Sequence, residues 1–423
     1  MTTIGRSRWI WALAVVAGVS GFAVYMAPGY LTSSAQAQSV PRYRFDPAWP
    51  KPLPNKWKMG GITGLAVDKD DNVWVMTRPD DLRDFELLAE LTPPAAECCV
   101  RPHSLIHFDK DGNVIESFDP PDGHGLDVDS KGFVYVGQET VRKYDPKSGK
   151  VVGEAPRAPE REGGGGGEAA PAPRIPGRGG PGPTGTFPQP ARGAVDPAAR
   201  AAAAARVAAF RAKYPPSTPM IVGQIEEVRL DEPAGEVYAT DSYFGRVLVF
   251  DMNTFAFKRG WGAYGHTLSE ISTSNADRQY TPGGPMQKEF AGHLTLHISK
   301  DGHVYHADRN ANRIQVMTKD GAFVKEFSVA PQTGNVRPAR GSTGGVAFSA
   351  DPAQQLLFVS DITNNKIWFV NRQDGKTVGS IGGMGENGGL FFSLHMIASD
   401  SQGNIYTGEV FNGERVQRFV PVR

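Results

Sequence analysis

Cysteine is scarce in this 423-residue chain: there are two, Cys98 and Cys99, and they are neighbours. The sequence therefore offers no C-x-x-C-H haem attachment and no second cysteine pair for a structural zinc. Adjacent Cα atoms stand about 3.8 Å apart, closer than a relaxed disulfide prefers. The pair reads as a vicinal disulfide stiffening its loop, or as two free thiols. Charge of one sign is lacking too. Lys+Arg and Asp+Glu both number 45, so no global field draws the chain to nucleic acid or to an anionic membrane.

Long apolar runs are also missing, with one exception. Trp9 to Met26 follows Arg6 and Arg8 and precedes Ala35-Gln36-Ala37. A basic start, an apolar core and a small-x-small site spell a secretory signal over residues 1–37. An uncleaved N-terminal anchor is the alternative, because the run approaches the length that spans a bilayer. Arg6-Ser7-Arg8 is not a twin-arginine pair, which favours the general secretory route. The expected location is periplasmic or extracellular, where disulfides persist.

What the chain has in quantity is Gly and Pro, 50 and 33 of them, and a repeat. An apolar alternation, a turn and a Val-Tyr-like strand recur six times. The copies begin at Ile62-Thr63-Gly64-Leu65, Gly125-Leu126-Asp127, Val228-Arg229-Leu230, Leu294-Thr295-Leu296, Gly345-Val346-Ala347 and Met396-Ile397-Ala398. Each continues into strands such as Arg313 to Met317 and Phe323 to Phe327, joined by turns such as Lys319-Asp320-Gly321. Period-two alternation bounded by such turns is a hairpin signal. Short strands repeated in sets of four are blades. The expected fold is all-β, a six-bladed β-propeller over residues 38–423, with Tyr43-Arg44-Phe45 supplying an outer strand that closes the ring.

Three segments break the spacing. Residues 156–219 are low-complexity, rich in Gly, Pro and Ala, and are expected to be a disordered insert. Within them Asp196 as N-cap and Pro197 at the first position predict a short helix to Tyr214. The others are residues 263–288 and an excursion over residues 79–103 that carries the cysteines. Asp-rich runs such as Asp68 to Asp71 lack the length and the terminal Glu of an EF-hand loop and read as turn residues.

The chemistry concentrates at one repeat-equivalent position, just before the first strand of each blade. Blades two, four and six carry His124, His293 and His395 there; blades one, three and five carry Thr63, Glu226 and Gly344. First strands line the channel of a propeller, so alternate blades set these imidazoles about 120° apart around one axis. Three such histidines make an open zinc site, leaving a position for water or substrate. Arg78, Tyr243 and Arg309 end second strands and should crown the same face: an Arg fork for a carboxylate, a Tyr as general base. The blander alternative is a set of solvated pore and rim residues. His297 and His306 lie on blade four, where His297 on the first strand reads as a packed core imidazole, and His103, His107, His266 and His303 have no repeat-equivalent partners.

These residues resemble the peptidyl-α-hydroxyglycine α-amidating lyase family, which has NHL-type propeller blades. The resemblance covers nearly the whole ring, through His124-Gly125-Leu126, Thr240-Asp241-Ser242-Tyr243, His293, Ala307-Asp308-Arg309, Arg313-Ile314-Gln315 and His395. It implies a lyase that cleaves a C–N bond of an α-hydroxyglycine end to give an amide and glyoxylate. Zinc would bind the substrate hydroxyl on the three histidines, Tyr243 would take its proton, Arg309 would assist Tyr243, and Arg78 would hold the carboxylate. It also implies a structural calcium, but Met396 stands where the family has an Asp ligand. The backbone carbonyls of Leu65 and Leu126 are then the donors left to that ion. Phe244 replaces a cysteine of the family, and Gly123 and Gly292 replace prolines. No copper monooxygenase domain precedes the propeller, so a hydroxylated peptide would have to come from another protein. The competing expectations are a non-catalytic propeller binding a protein or cell-envelope partner, and a metal-dependent lactonase-like hydrolase.

Overall fold

The computed structural model describes residues 40–159, 197–272, 274–278, 280–281, 284–334 and 341–422. The expected export signal, the N-cap Asp196 and most of the Gly/Pro-rich insert lie outside them. The strands all belong to one compact unit, Arg42–Arg423.

Among the described residues, twenty-four strands form six antiparallel four-stranded sheets. Blade one is built from Gly61–Val67, Val73–Arg78, Leu105–Phe108 and Val114–Phe118. Blade two follows with Leu126–Val128, Val134–Gly137, Val141–Asp145 and Lys150–Glu154, and blade three with Ile225–Asp231, Glu236–Asp241, Arg246–Asp251 and Phe257–Trp261. Blade four runs through Leu294–Ile298, His303–Asp308, Arg313–Thr318 and Phe323–Ser328, and blade five through Val346–Phe348, Leu356–Asp361, Lys366–Asn371 and Thr377–Gly382. Blade six takes Leu394–Ser399, Ile405–Glu409 and Val416–Pro421 from the C-terminal end and Tyr43–Phe45 from the start of the unit. The first strand of every blade packs against the first strands of its two neighbours, including blade six against blade one, so the ring is closed. The expected propeller and its closure are both present.

A blade is a sheet with two apolar faces, and each face finds its cover on the next blade. Accordingly there are six hydrophobic cores, one at each blade–blade boundary. The core between blades one and two is typical: Trp74, Met76, Leu105, Leu126, Val134 and Val136 interlock there. On the side of the ring away from the histidines, aspartates close the turns between first and second strands. Asp68 accepts hydrogen bonds from the backbone N–H of Asp70 and of Asn72, each at 2.9 Å, the turn role expected of it.

The insert leaves and re-enters the ring at one place. Ile221 exchanges backbone hydrogen bonds with Pro156 and Ala158, at 2.9 and 2.8 Å. The expected helix is present as α1, Pro197–Lys213. In the first-blade excursion Cys98 and Cys99 are joined as a vicinal disulfide, which decides between the two states the sequence left open. Among the described residues no helix is long and apolar enough to cross a membrane.

Candidate metal centre

His124, His293 and His395 meet. The ligand atoms of the three imidazoles all lie within 4.8 Å of one another. Nε2 of His293 is 3.2 Å from Nε2 of His124 and 3.4 Å from Nε2 of His395. A tetrahedral ion with metal–nitrogen bonds near 2.0–2.1 Å separates its ligands by about 3.3–3.4 Å, so these two spacings suit donors that could share one cation.

The other face of two rings decides which nitrogen is available. His124 Nδ1 donates to the backbone carbonyl of Glu226 at 2.6 Å, and His395 Nδ1 to that of Ile62 at 3.2 Å. With the proton held on Nδ1, the Nε2 lone pair is left pointing at its two neighbours, as a ligating histidine requires. Burial, first, and the neighbouring imidazoles press the pKa of both His124 and His395 well below the ordinary histidine value, although the Glu226 carboxylate acts the other way on His124. The rings are therefore neutral. These residues fit a divalent metal.

Local backbone explains the aim. The pairing of first and second strands slips by one residue between Leu394 and Met396 in blade six, at His395. Blade three slips between Ile225 and Val228, across Glu226 and Glu227, and blade one between Ile62 and Gly64, at Thr63. Such bulges turn a side chain out of the ordinary alternation, here into the channel. In blade two the same work falls to Gly125, whose φ of 73° is left-handed. A Cβ there would stand 2.5 Å from Glu227 Cα, so the chain can pass only as glycine.

Glu226, to which the sequence assigned no role, belongs to this centre. Its Oε2 is 2.8 Å from His293 Nε2 and 3.8 Å from His124 Nε2. The signal was present: Glu226 occupies the blade-three position equivalent to the histidines, between His124 and His293 in ring order.

Arg78 and Arg309 lie at the same end of the channel. Arg78 pairs with Gly61 at the end of its strand, and the Arg309 N–H donates to the His293 carbonyl at 3.1 Å. Their charges reach the imidazoles: both act on His395, and Arg78 also on His124. Tyr243 follows Asp241, which pairs with Ile225 beside Glu226. Its hydroxyl accepts a hydrogen bond from Arg211 Nε at 3.1 Å, and the Arg211 guanidinium lies over its ring at 5.0 Å. Arg211 belongs to α1, and Phe210 of the same turn meets the Tyr243 ring edge-on at 6.3 Å. The insert thus places a cation on the rim, a contact no repeat pattern could announce.

The calcium expected at the carbonyls of Leu65 and Leu126 meets a different occupant. Arg229, buried in the channel, donates through Nη1 to the Leu126 carbonyl at 2.8 Å and through Nε to that of Leu296 at 3.4 Å. Its charge is answered by Glu227, 3.3 Å away. Leu65 stays in its ladder opposite Val75. A guanidinium already serves the Leu126 carbonyl, one of the two expected donors, and a second cation beside it would be repelled. The residues do not fit calcium there. His297 is half-buried, edge-on to Phe348 at 5.2 Å, and its pKa is pushed down to about 3 by desolvation and then by Arg229.

No protein-family model and no curated protein matches the chain. Among solved structures, a protein of unknown function from Bacteroides thetaiotaomicron aligns over 86% of this chain and 70% of its own, at 16% identity and a TM-score of 0.47. Virginiamycin B lyase from Staphylococcus aureus aligns over 86% of this chain and 87% of its own, at 12% identity and a TM-score of 0.41. Both likenesses are distant, and the assignment that stands on the chain itself is its architecture: a six-bladed β-propeller with three histidines gathered at the channel.

Proposed function

We propose that this is an exported, metal-dependent lyase that splits an α-hydroxyglycine-like substrate bearing a carboxylate into an amide and glyoxylate. One observation supports it above the others: three imidazoles converge by Nε2 at a channel mouth where Arg78, Arg309 and, through α1, Arg211 supply positive charge. His124, His293 and His395 would hold Zn2+, which in such a site polarises a bound oxygen.

The chain's own groups have the remaining tasks. Arg78 would take the substrate carboxylate as a two-pronged donor, fixing which end of the molecule faces the histidines. The Tyr243 oxygen would accept the proton of the substrate hydroxyl. Arg211, already bonded to that oxygen, positions it, and Arg309 adds charge from the neighbouring blade. Loss of the hydroxyl proton lets the C–O electron pair form a carbonyl. The C–N bond then breaks, and its electrons leave on the amide nitrogen, which takes up a proton. Substrate becomes amide plus glyoxylate with no other reactant.

The test pairs metal analysis of the purified protein with glyoxylate release from an α-hydroxyglycyl peptide. Near-stoichiometric metal and release abolished by chelation are expected, with Tyr243→Phe cutting kcat by about 100-fold or more. Metal without glyoxylate would leave a metalloenzyme for another substrate, such as a lactone. A protein that binds no metal would be a binding scaffold, and the lyase assignment would fall.

A further inference from the structure

We infer that Glu226 is a fourth protein ligand of the metal, so that the centre is a three-histidine, one-carboxylate site for a divalent ion taking five or six donors. The inference rests on the metal-binding half of the proposed function and is independent of the lyase chemistry.

Geometry carries it. The carboxylate oxygen Oε2 stands 2.8 Å from His293 Nε2 and 3.8 Å from His124 Nε2, so it lies among the same donor atoms, within a few tenths of an ångström of the roughly 3.0–3.4 Å edge around one ion with bonds of 2.0–2.2 Å. The carboxylate therefore faces the same point as the imidazoles. It is brought there by the device that presents His395, a one-residue slip in the pairing of the first two strands. The Glu226 carbonyl meanwhile accepts the Nδ1 proton of His124, so one residue would both orient a ligand and be one.

The chemistry follows from the donor set. Three neutral imidazoles leave a divalent ion with its full charge, and one carboxylate halves it. A tetrahedral ion with four protein donors would be closed to substrate. A substrate hydroxyl can join only if the ion accepts further ligands. Imidazole with carboxylate suits such first-row ions: Mn2+, Fe2+, Co2+, or Zn2+ in an expanded shell.

The test titrates Zn2+ and Co2+, against a competing chelator, into metal-stripped wild type, Glu226→Gln and Glu226→Ala. Both variants are expected to bind each ion more than about 100-fold more weakly, beyond the 10–100-fold that losing an outer hydrogen-bond partner costs. The Co2+ absorption spectrum should also change. Melting in EDTA reports whether the variants fold. The infrared difference spectrum of the wild type on adding Zn2+ needs no variant, and should show a carboxylate stretch moving to its coordinated position. Unchanged affinity and spectrum in the variants, or no carboxylate shift in the wild type, overturns the inference. If the wild type binds neither ion, the inference and the metal site fall together. If binding depends on Glu226 but no glyoxylate is released, the lyase assignment fails and Glu226 stands as ligand.

Discussion

His306 shows how a single buried ring can make the propeller sensitive to acid. The indole Nε1 of Trp261 donates to its Nε2 at 3.3 Å, and its Nδ1 faces the Gln315 carbonyl at 3.1 Å. One nitrogen accepts and the other donates, so the neutral ring is satisfied and a second proton has nowhere to sit. Burial pushes its pKa from 6.5 down to about 4, with the backbone contacts acting the other way. Between these values the unfolded chain binds a proton that the folded chain refuses. Stability therefore falls as pH drops from 6.5 toward 4, by up to about 3 kcal/mol for this group. Denaturant unfolding at several pH values is expected to show that loss. His306→Gln should flatten the slope by about one proton; an unchanged slope would clear His306 of the effect.

At the scale of elements, one buried side chain gathers the backbone of the insert's return leg. Arg246, fully buried, bridges to Asp241 at 2.8 Å and donates to the carbonyls of Pro216, Thr218 and Met220. The strand pairing alone would hold blade three; Arg246 ties residues 214–222 to it, and with them the C-terminal end of α1 that delivers Arg211 to Tyr243. Arg246→Met strands the Asp241 carboxylate in the interior, at a cost of about 3–5 kcal/mol. The expected result is a lower denaturation midpoint together with faster proteolysis within residues 214–222. A variant with wild-type stability and protection would show that the strands alone hold this segment. Arg313 and Asp308 repeat the pair in blade four, 2.7 Å apart and equally buried, so the motif belongs to the blade and the insert has borrowed it.

The unit Arg42–Arg423 is a ring of blades closed by non-covalent contacts. Tyr43, Arg44 and Phe45 pair with Pro421, Val420 and Phe419, while Tyr43 packs its ring on Phe358 and Phe369 of blade five at 5.9 and 5.6 Å. Alternation separates the roles: Tyr43 and Phe45 face inward, and Arg44 is exposed. Tyr43→Ala is expected to lower stability by about 2 kcal/mol, somewhat less than for a fully buried aromatic ring. Arg44→Ala should stay within about 0.5 kcal/mol. Equal effects in thermal or denaturant melts would mean that this strand does not seal the ring. Closure also bears on the candidate metal centre, because the His395 ring hydrogen-bonds the Ile62 carbonyl across the seam between blades six and one. Loosening the seam should weaken metal binding as well as stability.

Much of this was written locally. Period-two alternation, turn aspartates and glycines act over a few residues, so six copies of the pattern dictated six four-stranded blades, and equal positions in alternate copies put His124, His293 and His395 at one end of the channel. Pro197 and an Ala-rich run were likewise enough for α1. The rest depended on contacts that no repeat encodes. Whether three imidazoles come within bonding distance of one ion depends on ring closure and on bulges of a single residue. The same bulge turned Glu226 inward. The path of the insert alone brought Arg211 to Tyr243, and the packing of the channel alone gave the Leu126 carbonyl to Arg229 instead of calcium. Sequence determined the blades because strand formation is a short-range matter of alternation and turns; only the tertiary structure decided the site, because a cation is held by distances of a few ångströms between residues hundreds of positions apart.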